Sequence, residues 1–580
     1  MALGSQRERI PTKMQILSGF CIICVLILAA VFFFWYLPGP VPASHSSPTV
    51  HVKILAVNDF HGHMTPGQML NNRSVGGAPV LASYLKSTIA SANADGTIIA
   101  IPGDVVGSSP PASGLLLDEP SMLFFNSFAN QYCTIGSDSP NVSCNMVATL
   151  GNQEFDQGIP ELMRKINGGN GATNITHLVN PYPGAKFDYV CSNVVWTANN
   201  TPILPPYTVR NVGGVPIAFI GAVTMTTPNL TTAANVQGVT FLDEADSINR
   251  YVPVIQKQGI HAIVVLLHEG GTQAPYDGPT QANGTVEGRV TQIVPRLDPD
   301  IDVVLSAHTH EFTNAYLTNA AGKPVLVTQA FMYSRGYADV DLTIDRASDD
   351  IVGKSAQIIP TYADQPPGTS PDPTATAFLA EDEQVLGPVE NQVISMAAHN
   401  ITRVQDNAGE SAMGDLVVDG ERAAMETEVG FETSGNIFAD VSKGNITWSD
   451  LYAVQPAAGT VLSVTMSGKQ ILQALEEQWQ EPLPPSNLIV SGLVYTYDTA
   501  KPAGSKVTEV KIHGIPLDQN ASYSVSMVGS LAMGAEGYPV FTEGTNLTYG
   551  PTDIDALVSY VGSLPQPVNV TVDGRIRRIN

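Results

Sequence analysis

The sequence predicts an α/β sheet fold, followed by a second domain and preceded by one membrane-spanning segment. Three observations carry that reading. Short apolar runs at residues 52–57, 97–101, 146–150, 262–267 and 301–305 alternate with helical stretches, and runs this short and this apolar suit strands buried on both faces of a sheet. A Pro- and Asp-rich stretch at 360–373 breaks the pattern and reads as a linker. Residues 16–37 form an uncharged, almost wholly apolar run, long enough to cross a bilayer as a helix.

From the N-terminus, residues 1–14 read as a cytoplasmic tail and 15–37 as a signal anchor. Arg7, Arg9 and Lys13 outweigh Glu8 before the apolar run, which places the tail inside and everything after residue 37 outside. Cleavage after Ala43, giving a secreted protein, is the alternative. Residues 38–50 read as a stalk, 51–355 as the α/β domain, 356–393 as a linker with a helix over 378–393, and 394–580 as the second domain. A chain of 580 residues is too long for one hydrophobic core. With 53 acidic and 28 basic residues the formal charge is −25, which argues against a broad nucleic-acid surface. A small anion held by metal ions is compatible with that charge.

Export has two further signs. Eleven Asn-x-Ser/Thr sequons follow the apolar run, acceptors for glycosylation outside the cytoplasm. Of five cysteines, Cys21 and Cys24 lie in the run. Cys133 and Cys144 are close enough to pair in an oxidising compartment, leaving Cys191 over, or all three are buried thiols.

Each of the five apolar runs is followed by a residue able to bind a metal. They are Asp59 and His61 in Asn-Asp-Phe-His, Asp104 in Pro-Gly-Asp, Asn152 in Gly-Asn-Gln-Glu-Phe-Asp, His268 in His-Glu-Gly-Gly, and His308 and His310 in Ala-His-Thr-His. A lone strand-end Asp is more often a turn residue. Here, however, four of the 11 histidines sit at the ends of apolar runs, where α/β sheets gather their ligands. Mixed His, Asp and Asn ligation suits two borderline divalent ions such as Zn²⁺ or Mn²⁺.

This order of motifs resembles the calcineurin-like metallophosphatases, and Gly-Asn-Gln-Glu-Phe-Asp-Gln-Gly with Leu-Leu-His-Glu-Gly-Gly narrows it to the 5′-nucleotidase branch. In the second domain, Gly409-Glu410-Ser411-Ala412-Met413-Gly414 and Met533-Gly534-Ala535-Glu536-Gly537-Tyr538 are similar to phrases of that family. The resemblance implies a metallophosphatase sandwich, with sheets flanked by helices, and an α+β C-terminal domain. It implies one ion on Asp59, His61 and His310, a second on Asn152, His268 and His308, and Asp104 bridging both, for in-line hydrolysis of a small phosphorylated substrate such as a nucleotide.

The pattern also breaks. Gln153 replaces a His that in the family pairs with the Asp at position 156; a Gln amide donates a hydrogen bond but carries neither proton nor charge at neutral pH. By the same resemblance Phe438 replaces a substrate-binding Arg, Ala457 and Ser530 replace two base-stacking aromatics, and Glu536 replaces a ribose-binding Asp. Tyr538 sits in the same substrate-binding phrase. Three functions compete: a dimetal phosphoester hydrolase with an altered substrate and reduced nucleotidase activity, a catalytically degenerate surface binder, and an ordinary 5′-nucleotidase.

Overall fold

The computed structural model describes residues 48–134, 141–170, 178–231, 234–282, 284–456, 459–480, 487–534 and 537–580. The tail and anchor expected at 1–37 and most of the stalk lie outside the described residues. The first strand, Thr49–Ala56, begins inside the stretch read as stalk. Among the described residues no helix is long and apolar enough to cross a membrane.

All five apolar runs are strands, and they form the centres of two six-stranded sheets. The first sheet runs in the order Asp350–Pro360, Gly336–Asp345, Thr49–Ala56, Gly96–Ile101, Met146–Thr149, Asp188–Val190. Its central strands are parallel, with Leu55 opposite Ile99 and Ile99 opposite Met146. The second runs Phe312–Thr318, Pro324–Ala330, Ile301–Ser306, Ala262–His268, Val215–Val223, Tyr207–Val212, with Ala262–His268 parallel to both neighbours.

The two sheets share one core. Ile54, Ala56, Ile98 and Ala100 of the first pack with Ile217, Phe219, Val264 and Leu266 of the second. The outer face of the first sheet is covered by a cluster that takes in Leu81, Leu85, Phe125, Leu162 and Leu386 from four helices. Ile248, Val252 and Ile255 help to cover that of the second. Strands buried on both faces need apolar side chains at every position, so these runs do not alternate.

The strand Asp350–Pro360 pairs along its whole length with Gly336–Asp345, which carries the first sheet five residues past 355. The linker helix spans Pro373–Glu390 rather than 378–393. Asp372 caps it by accepting from Ala375 N at 2.9 Å, and Pro373 takes the first helical position, where it sacrifices no hydrogen bond. The proline that reads as a loop residue is therefore a helix start.

The C-terminal part is α+β. A five-stranded sheet has the order Leu488–Ser491, Val429–Thr433, Ser522–Val528, Thr460–Ser467, Thr545–Thr552, and a four-stranded one Ile515–Pro516, Val507–Ile512, Leu493–Asp498, Ile576–Ile579. The helices Ala412–Met425 and Asp553–Ser563 pack together against the larger sheet. Cys133 and Cys144 form a disulfide with Cα atoms 4.6 Å apart, and Cys191 is a buried free thiol.

Glu421, Glu432 and Asp553 are buried together beside Gln455. Burial, then the neighbouring Glu432 carboxylate, push the Glu421 carboxyl well above the usual range, and burial pushes Asp553 up to about 7. A raised folded-state pKa means that folding takes up a proton. Its stabilising contribution is then complete below the unfolded carboxylate value of about 4.3 and is lost as pH rises above it. Glu421→Gln keeps the acceptor that Gln455 Nε2 uses at 3.2 Å and cannot ionise. Its thermal midpoint should exceed that of the unmutated protein at pH 8, and the gap should close towards pH 4.5. A midpoint lower than the unmutated one at pH 8 would mean that Glu421 is not held protonated.

Candidate metal centre

The carboxyl ends of both sheets converge at one place. From the first sheet come Asp59 and His61, just after Thr49–Ala56, Asp104 after Gly96–Ile101, and Asn152 after Met146–Thr149. From the second come His268, the last residue of Ala262–His268, and His308 and His310 after Ile301–Ser306. Asp59, His61, Asp104 and His310 form one group with donor atoms within 4.8 Å of one another, and Asp104, His268 and His308 form another. Asp104 belongs to both. Asn152 joins the second group, its Oδ1 lying 3.1 Å from His268 Nε2. All seven positions singled out in the sequence are brought together.

The hydrogen bonds around the rings decide which atoms face inward. His61 Nδ1 meets Gly107 O at 2.9 Å and His268 Nδ1 meets Pro102 O at 2.9 Å. A carbonyl only accepts, so each Nδ1 donates to it and each ring turns its Nε2, the atom left for a metal, inward. The Nε2 of His268 then lies 3.1 Å from Asp104 Oδ2 and that of His61 lies 3.4 Å from the same oxygen. Electron-rich atoms gathered this closely repel one another unless positive charge sits among them. Burial lowers His268, but the Asp104 carboxylate outweighs it and pushes that ring up to about 10, so in the absence of an ion a proton takes the place of the cation. Burial pulls His308 down to about 4, which keeps its lone pair free for a metal. The donor set fits divalent ions of the borderline class.

The backbone is bent to bring these side chains in. Asp59, His61, Asp104, His308 and His310 all have positive φ, between 46° and 78°, a conformation costly for such residues and typical of sites that the surrounding fold overdetermines. Gly103 has a φ of 97°, and a Cβ there would come within 2.5 Å of His268 Nδ1, so only glycine fits beside that ring.

Two supporting residues escape sequence reading. Glu154 is buried, and its carboxylate accepts from Asp104 N at 3.0 Å, Val105 N at 2.9 Å and Gly151 N at 2.5 Å, tying the Asp104 loop to the Asn152 loop. The Glu in Gly-Asn-Gln-Glu was its one available signal. Tyr333 stands edge-on to the rings of His61 and His310, at 5.5 and 5.4 Å between centroids. No motif surrounds it.

A cleft of about 370 Å³ opens beside the centre, lined by Gln153 and Asp156 on one side and by Trp448, Tyr452 and Thr552 of the C-terminal part on the other. Gln153 N donates to Asp104 Oδ1 at 2.9 Å, while its side-chain Oε1 is buried without a hydrogen-bond partner. Burial, followed by the charge of Asp104, pushes the Asp156 carboxyl well up.

The calcineurin-like phosphoesterase family model matches residues 52–312 and the 5′-nucleotidase C-terminal domain model matches 385–543. A Listeria monocytogenes protein described as cell wall protein Lmo0130 is 30% identical over 90% of this chain and 68% of its own length. The chain belongs to the 5′-nucleotidase family. A second relative, described as endonuclease YhcR of Bacillus subtilis, is 33% identical over 92% of this chain; the match spans 41% of that longer protein. Among solved structures, a 5′-nucleotidase precursor from Thermus thermophilus superposes with a TM-score of 0.55 at 25% identity, covering 91% of this chain and 99% of its own. The metallophosphatase domain of the 5′-nucleotidase family implies divalent metal ions.

The C-terminal positions expected to touch substrate fare differently. Phe438 is half exposed and is not among the residues lining the cleft. Tyr538 is wholly buried and its ring packs 6.1 Å from that of Phe541; it is a core residue, not a substrate contact. Ser530 is exposed on the short helix Gly529–Ala532. Ala457 and Glu536 lie outside the described residues.

Two outcomes are expected. Chelator-stripped protein should gain thermal stability on addition of Mn²⁺ or Zn²⁺, and Asp104→Ala should abolish that gain, because Asp104 belongs to both groups; an undiminished shift in the variant would remove Asp104 from the centre. Glu154→Ala leaves three buried N–H groups without their acceptor and should cost at least about 2 kcal/mol in urea unfolding, together with weakened metal affinity in a competition titration.

Proposed function

We propose that this chain is an extracytoplasmic phosphoester hydrolase that uses two divalent ions, Zn²⁺ or Mn²⁺, on a substrate other than ordinary nucleoside 5′-monophosphates. Asp59, His61 and His310 would hold one ion, Asn152, His268 and His308 the other, with Asp104 between them. The observation that carries this reading is the meeting of seven competent ligands beside an open cleft, at the ends of rigid strands. When bound, the ions supply Lewis-acid charge to a phosphoryl group and activate water.

The protein's own residues orient and support that centre. Pro102 O and Gly107 O fix the rings of His268 and His61, and Glu154 holds the Asp104 loop in place. Gln153 offers only an amide beside the phosphoryl position, where general acid work is commonly worth 10²–10⁴-fold. In the C-terminal half, neither a cation at position 438 nor an aromatic at 530 is present to hold a nucleotide, and base stacking is worth about 1–3 kcal/mol. The described names of relatives, endonuclease and cell wall protein among them, fit a fold whose substrate varies.

An exported location is supported by the Cys133–Cys144 disulfide, since such bonds persist in oxidising compartments, and by a relative described as a cell wall protein. The sequon asparagines Asn72, Asn141, Asn199, Asn400, Asn445, Asn520, Asn546 and Asn569 are exposed. We assign the metal-holding domain to residues 49–360, the span of its sheets, and the substrate-facing domain to 394–580. A metal-holding surface protein without turnover is the second reading, favoured by Gln153.

Purified ectodomain with saturating Mn²⁺ should hydrolyse an aryl phosphate and act poorly on AMP. Gln153→His should raise kcat/KM on a simple alkyl phosphate such as glycerol phosphate more than on AMP, because one substitution restores the proton that both alkoxide leaving groups need but not a nucleotide pocket. Turnover of AMP at about 10⁵ M⁻¹s⁻¹ or more, the range of an ordinary enzyme, would move the plain 5′-nucleotidase reading to first place. No turnover of any phosphoester with Mn²⁺, Zn²⁺ or Co²⁺ would leave the surface protein.

A further inference from the structure

The wall of the cleft that carries Gln153 and Asp156 also carries a buried cation. Lys165, on the helix Gly158–Asn167, is 3% exposed and lines the cleft. Its Nζ lies 3.6 Å from Asp118 Oδ2, too far for a good hydrogen bond. The Asp118 carboxylate is already engaged, since Gly107 N donates to Oδ2 at 3.1 Å and Ser113 Oγ to Oδ1 at 2.9 Å. Burying an ammonium costs several kcal/mol unless good pairing offsets it, and this loose ion pair offsets it only in part. A buried cation facing an open cleft, with donor capacity to spare, suits an anionic ligand.

The placement ties this cation to the metal centre through direct contacts. Gly107 accepts from His61 through its carbonyl and donates to Asp118 through its amide. A Cβ on Gly107 would come within 2.6 Å of Gln153 Cβ, so the Gly107 backbone lies against Gln153. His61, Gly107 and Asp118 thus lead to Lys165, with Gln153 alongside. The opposite wall has Trp448 and Tyr452, whose rings stack at 5.3 Å, and Thr552.

We infer that Lys165 is a catalytic residue of this chain that contacts the leaving-group oxygen of a phosphoester, supplying the positive charge and proton that Gln153 lacks. That proton matters for phosphomonoesters whose poor, alkoxide-type leaving groups cannot depart without one. Water adds to phosphorus and releases one proton to solvent as the bond from phosphorus to the leaving oxygen breaks. The electron pair of that bond goes to the oxygen, which takes a proton from the Lys165 ammonium, and the amine recovers one from solvent. The products are an alcohol and inorganic phosphate. This inference rests on the hydrolase reading above.

The test measures kcat and KM for the unmutated ectodomain, Lys165→Met and Lys165→Arg, with saturating Mn²⁺, on glycerol phosphate and on 4-nitrophenyl phosphate. 4-Nitrophenolate leaves without a proton, whereas an alkoxide does not. Lys165→Met should lose about 10²-fold in kcat on glycerol phosphate and no more than a few-fold on 4-nitrophenyl phosphate. Lys165→Arg should keep part of the rate on glycerol phosphate, and adding Gln153→His to Lys165→Met should restore much of it. Lys165→Gln, which keeps a donor for Asp118 but no charge, carries the same expectation if the Met variant fails to fold. Equal losses on both substrates would make Lys165 a merely structural residue and overturn the inference, as would no loss on either. If the unmutated protein hydrolyses neither ester, the hydrolase reading itself fails, a result distinct from an active protein indifferent to Lys165.

Discussion

The structure is organised around one electrostatic problem: two carboxylates and a set of imidazole lone pairs are buried together, and only cations can make that arrangement favourable. Asp59, His61, Asp104 and His268 are almost wholly buried, where charge without a counter-charge is most expensive. Much of the surrounding architecture follows from it. Backbone carbonyls at Pro102 and Gly107 turn the rings inward, and Glu154 spends its carboxylate on three loop amides. Five of the seven candidate ligands adopt a left-handed backbone that an isolated chain would avoid. These features lower the cost of assembling the site before any ion arrives, and all are carried on strands packed into a shared core.

Every ligand position of the expected pattern is kept, whereas the positions that the sequence resemblance assigns to substrate, 153, 438, 457, 530 and 536, carry other residues. A binding site can change its substrate while keeping its metals because the two are built from different elements: sheet ends of the first part on one side, loops and helix starts of the C-terminal part on the other. The cleft itself remains, bounded now by Gln153, Asp156 and Lys165 opposite Trp448 and Tyr452. Its polar wall sits beside the centre, where a phosphoryl group would need it.

The acidic balance of the chain reaches its interior as well. Glu421, Glu432 and Asp553 form a second buried group of carboxylates, remote in role from the first, whose remedy is protonation rather than a metal. Asn436 Nδ2 and Thr433 N donate to Glu432 at 2.9 and 2.5 Å, so that carboxylate also holds the loop leading to Phe438. Burial thus gives carboxylates opposite fates within one protein: in the centre His268 and His61 hold Asp104 low against burial, while Glu421 is raised by burial and by the acids Glu432 and Asp553 beside it.

How much of this could be read from the sequence depends on how local each signal is. The five central strands were legible because strands buried on both faces must be apolar at every position, and their metal-binding ends because a His or Asp after such a run has no packing reason to recur. The departures at Gln153 and Phe438 were equally legible, since they stand at fixed spacing from those motifs. Tyr538 was misjudged because its neighbours in sequence resemble a substrate loop while its ring faces the core, and the start of the linker helix because Asp372 and Pro373 read equally well as a loop. Glu154, Tyr333 and Lys165 could not be assigned roles at all. Each acts through partners brought close only by the fold: Glu154 through amides some fifty residues away along the chain, Tyr333 through rings that come from both sheets, and Lys165 through Asp118 on another segment. The sequence determined which side chains could bind a metal and which strands carry them. The packing of two sheets decided that they meet, what holds them, and which cation faces the cleft, because those depend on distances between residues far apart in the chain.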